Sequence, residues 1–187
     1  IKGEIYRLGE GKMLLRILSE ARAGKHLFDV TGFATLEFEM LRRKGLIGKY
    51  LSPQRRFYQE GDKDQEGYWT GIYANKEVIV YNTRMIPPKD VPKTYEDLLH
   101  PKWKSKMAME SANYYWFAAL MKMMGDDKGL EYMKKLGEQH VTFRTGRTLI
   151  CQLVAAGELI MGLGLHNSSP EELKAKGAPI DWVAIEP

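Results

Sequence analysis

One cysteine, Cys151, stands among the 187 residues, so no disulfide within the chain can hold it together. It falls in a helical, apolar pattern, and no histidine is spaced to partner it, which favours a small core residue over a nucleophile. No apolar run approaches the roughly 18 residues that a membrane span needs, so no direct membrane insertion is expected. The chain has no Gly-rich phosphate loop, no G-x-S-x-G, no HExxH and no zinc-type cysteine grouping. Glu37 and Glu39 are two residues apart on one expected helix and face different ways. An enzyme is therefore not expected, and no cofactor or metal is implied. No block of like charge occurs either. The 28 basic and 24 acidic residues are scattered and leave a net charge of +4, which reads as solvated surface and not as a nucleic-acid face. What is present is ordinary globular material, 44% hydrophobic and long enough to bury a core.

The pattern along the chain alternates. Glu4 to Leu8 reads as a strand, and Met13, Leu14, Ile17, Leu18 and Ala21 form an apolar helical face ended by Gly24. LFDVTG reads as a short buried strand, and Thr35 as the cap of a helix that Gly45 closes. Ser52 to Gly67 is polar and aperiodic, a surface excursion. Tyr68 to Asn82 reads as strand, centred on Glu77 to Tyr81. The β-α-β-α order implies an open, largely parallel sheet covered by helices.

Pro87, Pro88 and Pro92 then forbid a regular element, after which the pattern restarts. Thr94 with Asp97 can cap a short helix, and Met107 to Met109 reads as strand. Helices are expected from Ser111 and Asp126, a strand at Val141 to Phe143, and a helix opened by Thr145. Leu159 to Leu165 is an apolar strand. Ser169-Pro170-Glu171-Glu172 reads as a capping box with proline at the first helical position. Gly177 ends that helix, and Ile180 to Ile185 is a last strand. Two architectures stay open on pattern alone. Either the strands ending at Asn82 and starting at Ile180 carry the chain between two lobes, or one sheet carries a proline-rich loop.

The runs GIYANKEVIVYNTRMI, PKTYEDLLHPKWKSKMAME, GRTLICQLVAAGE and KGAPIDWVAIEP, in this order, resemble the bacterial extracellular solute-binding proteins of ABC transporters. The resemblance covers essentially the whole chain and is nearest to the group with ferric-iron binders. It implies a two-lobed α/β fold, of the class II periplasmic-binding-protein type, with mixed, mostly parallel sheets and helices on both faces. Residues 1–83 and 178–187 would form a partial first lobe with the hinge strands, and 84–177 the second. It further implies a periplasmic or extracellular location with the leader peptide absent from this piece. The partners implied are a small-molecule solute and a transporter permease. The mechanism would be hinge closure over a small solute, anionic or accompanied by an anion.

In such a cleft, helix N-termini with free N–H groups favour anions. Candidate starts are Thr31-Gly32-Phe33-Ala34-Thr35, Glu110-Ser111-Ala112-Asn113 and Thr145-Gly146-Arg147-Thr148; any one alone is more often an ordinary capped helix, and their joint position after strands favours the ligand reading. The ligand set expected is Thr31, Gly32, Thr35, Ser111, Asn113, Tyr114, Thr145, Gly146, Arg147, Thr148 and His166. Arg147 leads because its planar fork matches an oxyanion at two points. Tyr114, Tyr115 and Trp116 are more often core at this spacing, with one of them facing the cleft. Ferric binders of the family resemble one another in a tyrosine pair after the strand that matches Leu159–Leu165. Leu165 and His166 stand there, and neither supplies a phenolate, which disfavours a ferric-iron carrier. An effector-sensing domain of a transcription regulator remains the alternative with the same fold.

Overall fold

The computed structural model describes residues 3–185. The chain divides into two compact units, one up to Tyr73 and one from Ala74 on, and each is taken by itself.

The first unit holds helices α1 (Glu10–Arg22) and α2 (Thr35–Arg43) and, among the described residues, no strand longer than an isolated bridge, Lys63 with Thr70. Leu14 and Ile17 of α1 meet Leu41 of α2, with Phe28, Phe33 and Leu46 around them. The strands expected at Glu4–Leu8 and in LFDVTG are irregular instead. Apolar alternation makes a strand only where a neighbour completes the ladder, and no described segment pairs with either. Thr35 is the first residue of α2 and not its cap. Ala34 occupies the cap position, and its N–H donates to Glu10 Oε1 at 3.2 Å. The polar stretch after Ser52 is organised by Arg55, whose guanidinium donates to the backbone carbonyls of Trp69 and Asp64 and to the Thr70 hydroxyl.

The second unit is built on a five-stranded sheet, β1 (Glu77–Asn82), β2 (Met107–Glu110), β3 (Thr142–Arg144), β4 (Met161–His166) and β5 (Ile180–Val183), in the order β3-β2-β4-β1-β5. β2 runs parallel to β3 and β4, whereas β1 is antiparallel to β4 and β5. The sheet is thus mixed, and half of its pairings are parallel. The strand expected from Tyr68 is confined to β1. β1 and β5, expected as hinge strands, are bonded into the same sheet as the other three. The proline segment between β1 and β2 is no surface flap, because Ile86 and Pro92 are buried.

Both faces are covered. Ile79, Met107, Met109, Met161 and Leu163 pack under α3 (Tyr114–Met124) and α4 (Asp126–Glu138) through Trp116, Leu120, Tyr132 and Leu136. Val78, Val80, Ala108 and Leu165 pack under α5 (Arg147–Ala156) and α6 (Ser168–Ala175) through Ile150, Cys151, Val154 and Leu173. Cys151 is a fully buried core residue whose thiol is pushed up to about 11 by burial. On β4 the faces switch after Leu163. Val78 pairs with Leu165 and Val80 with Gly162, so β4 carries one extra residue in a bulge. Gly164 takes φ +59 there, and a Cβ on it would stand 2.2 Å from Asn113 Nδ2. Only glycine fits.

In the second unit, three helix starts differ from expectation. α3 starts at Tyr114 and not at Ser111, and α5 at Arg147 after a Gly146 cap. α6 starts at Ser168 after Asn167, with no side-chain cap, so Ser169-Pro170 lies inside its first turn. Asn167 instead accepts from the Lys76 N–H at 3.0 Å, a long-range bond that outcompetes the local box. The Thr94–Asp97 cap forms reciprocally, with Asp97 N–H on Thr94 Oγ1 and Thr94 N–H on Asp97 Oδ2, but it opens a single 3-10 turn.

Candidate functional site

β2, β3 and β4 run parallel and end at Glu110, Arg144 and His166, so the junctions into α3, α5 and α6 lie along one edge of the sheet. β1 runs the other way, which brings its first residue, Glu77, beside His166. The carboxyl ends of parallel strands are where open α/β sheets take ligands, because chain turns and helix N-termini gather there.

Ser111 N–H donates to the Arg144 carbonyl at 2.9 Å, and the hydroxyls of Ser111 and Thr145 lie 3.2 Å apart. These bonds tie the first two junctions together. Glu110 closes the same corner from below. Its buried carboxylate accepts from Gly146 N–H at 2.5 Å and from the Ser111 hydroxyl at 3.2 Å. A carboxylate of the chain itself therefore sits at the start of α5, and Glu10 does the same at the start of α2. These helix starts, read from sequence as open anion sites, are partly satisfied by internal glutamates.

Asn113 holds the cap position of α3 without capping it. Its amide reaches across, donating to the Gly164 carbonyl at 2.8 Å and accepting from Arg147 Nη2 at 3.2 Å. Arg147 Nη2 lies 3.7 Å from Glu77 Oε1, an ion pair in half-buried surroundings, and its buried Nε has no hydrogen-bond partner among the described residues. Burial pushes the Glu77 carboxyl above its ordinary value, against the pull of Arg147. His166 is pushed below its ordinary value, first by burial and then by the Arg147 charge, so it is neutral at pH 7.

Seven expected residues thus fall on one sheet edge: Ser111, Asn113, Tyr114, Thr145, Gly146, Arg147 and His166. Tyr114 is the first residue of α3, with its ring centroid 4.8 Å from that of Tyr115 and the two planes tilted by 35°. Thr148 follows on α5 and is exposed. Thr31, Gly32 and Thr35 belong to the first unit. Sequence reasoning passed over Glu77, whose signal was a lone charge opening an otherwise apolar strand. Trp116 is core, as its spacing implied.

A model of the bacterial extracellular solute-binding protein family matches residues 37–144. The chain belongs to this family. The solute-binding protein is 27% identical over 107 residues to the Fe(3+)-binding periplasmic protein of Serratia marcescens, an alignment covering 56% of this chain and 31% of that one. It is 30% identical over 76 residues to iron uptake protein A1 of Synechocystis, covering 38% and 21%. Among solved structures, iron-bound HitA from Pseudomonas aeruginosa superimposes with a TM-score of 0.82 at 23% identity, covering 97% of this chain and 60% of that one. AfuA from Actinobacillus pleuropneumoniae, with fructose-6-phosphate bound, gives 0.77 at 22% identity, covering 99% and 61%. The fold is that of the periplasmic binding proteins. The chain spans under a third of the length of these curated relatives and about 60% of these structures.

The solute-binding protein has no catalytic motif in its sequence, and its family is one of binding proteins. At the end of β4, Leu165 is fully buried in the core beneath α5, and His166 reaches the site edge.

Proposed function

We propose that this chain is the solute-capturing part of an ABC importer. Its solute is small and anionic or accompanied by an anion, and Arg147 holds it at the carboxyl edge of the sheet, beside the Ser111 and Thr145 junctions. The observation that carries this reading is the Arg147 guanidinium. It is held half-buried by Asn113, set against Glu77 at 3.7 Å, and left with a buried Nε unpartnered. A planar oxyanion offers two-point pairing that the single Glu77 contact lacks, and it exchanges a long ion pair for charge-assisted hydrogen bonds. Capture proceeds by closure over the solute, after which a permease recognises the closed state.

The relatives include proteins named for iron, but the donors here favour another cargo. Leu165 has no ligand atom, and a neutral His166 is a poor sole match for a hard trivalent cation.

Arg147→Ala tests the reading. Thermal unfolding of the full chain is followed with phosphate, sulfate, carbonate, acetate and citrate. Stabilisation by at least one of these is expected in the parent chain and is lost in the variant, with the far-ultraviolet circular dichroism unchanged. Equal stabilisation of parent and variant removes Arg147 from the site.

A further inference from the structure

The loop between β2 and α3, which gives Ser111 and Asn113 to the polar edge, is also one wall of a cavity of about 310 Å³. Phe117 of α3, Met133 and Leu136 of α4, and Val141 and Phe143 at β3 form much of the remainder. This volume is at the lower end of pockets that hold organic small molecules. It is many times the space of one ordered water. An inorganic ion gains nothing from methionine, leucine and phenylalanine walls, whereas an apolar body does. The rim is open, with Phe117 40% and Phe143 60% exposed. The cavity meets the guanidinium at one residue, because Asn113 both lines it and accepts from Arg147 Nη2. Among the described residues, Glu110 is the one charged residue in the lining, with no lysine or arginine beside it there.

We propose that the solute is an organic anion with a single acid group and an apolar, preferably aromatic, body. This rests on the reading of Arg147 above and deepens it. The acid group takes Arg147, and the body fills the cavity between α3, α4 and β3. The buried Glu110 carboxylate repels a second acid group carried on that body, so the site selects against diacids.

Isothermal titration of the full chain with phosphate, phenyl phosphate, acetate and benzoate tests this. Each aryl compound should bind about tenfold tighter than its simple counterpart, the gain for burying one ring. 4-Carboxyphenyl phosphate should lose that gain. Phe143→Ala and, separately, Phe117→Ala should each shrink the aryl advantage while affinity for phosphate and acetate stays unchanged. Both rings are partly exposed, so the variants should fold. Equal affinity within each pair, or an aryl advantage that survives both variants, overturns the organic-anion inference and leaves the Arg147 reading standing. Binding of none of the probes overturns both.

Discussion

The two units of this chain bury apolar residues in different ways. From Ala74 on, a five-stranded sheet is covered on both faces, with β2 buried throughout, β1 and β4 largely so, and β3 and β5 mostly half-buried or exposed at the edges. Up to Tyr73, two helices meet through Leu14, Ile17 and Leu41. Meanwhile Ile5, Val30, Ile72 and Tyr73 stay between 79% and 93% exposed. Polar contacts at the surface recur in that unit, such as Arg16–Glu20 at 2.7 Å, Arg42–Glu39 at 2.6 Å and Lys49–Glu66 at 2.6 Å. Exposed pairs of this kind contribute little. A sheet gives each added strand two faces to bury and a ladder to satisfy, whereas a helix pair gives one seam. That difference also explains why the polar network of the candidate site is built in the second unit. Asn113, Arg147 and Glu77 can hold fixed positions only because strand ends fix their backbones.

The sharpest way to break this comparison is one methyl group in each unit. Gly164→Ala forces a Cβ to 2.2 Å from Asn113 Nδ2 and 2.9 Å from Trp116 Cγ, at a backbone angle that disfavours side chains. It should cost about 3 kcal/mol, read as a lower urea midpoint with an unchanged slope. It should also weaken anion binding by displacing Asn113 from Arg147. Gly48→Ala in the first unit meets nothing within 4 Å and should leave the midpoint in place. A flat response at Gly164 would mean that the bulge is loosely packed.

A smaller effect comes from His166. Its folded value lies below the ordinary 6.5 because of burial and then Arg147, so the folded state resists its protonation. The stability this gives is complete above pH 6.5 and is lost as pH falls through the depressed value. Glu77 has the opposite sign. Its carboxyl is raised, so its contribution is present below the ordinary 4.5 and fades as pH rises through the folded value. In the window just below pH 6.5, stability should decline with falling pH, and His166→Gln should flatten that decline. A slope unchanged in the variant would assign the titration elsewhere.

The smallest effect is expected in the first unit. Glu39 accepts from Arg42 and Arg43 and is held down to about 2, first by the Arg42 hydrogen bond and then by Arg43. The cluster lies at the surface, where solvent screens it. Glu39→Gln should leave the denaturation midpoint within error at physiological salt. A clear drop would show that surface pairing carries this unit.

Much of the second unit was legible. β1, β2 and β4 announce themselves as apolar runs, α4 starts at Asp126 as read, and the Thr94–Asp97 cap forms with its expected partners. Strand alternation fails in β4 because the Gly164 bulge turns Leu165 to the other face, a change that period-two reasoning cannot foresee. The capping box at Ser169 was misleading for a similar reason. Asn167 is recruited by the backbone of Lys76, just before β1 and far away in sequence. In the first unit, strand-like alternation at Glu4–Leu8 found no pairing partner, so propensity had nothing to act on.

The site divides along the same line. The sequence alone determined which residue types follow each strand: Ser111 and Asn113 after β2, Thr145 to Arg147 after β3, and His166 at the end of β4. Local order and turn chemistry suffice for that. Only the tertiary structure decided that Glu77 stands against Arg147, that Glu110 occupies the start of α5, and that Asn113 spans from the bulge to the guanidinium. Those choices depend on which strands become neighbours and in which direction they run. Strand pairing is a long-range event, and the residues on either side of it carry no local mark of their partner.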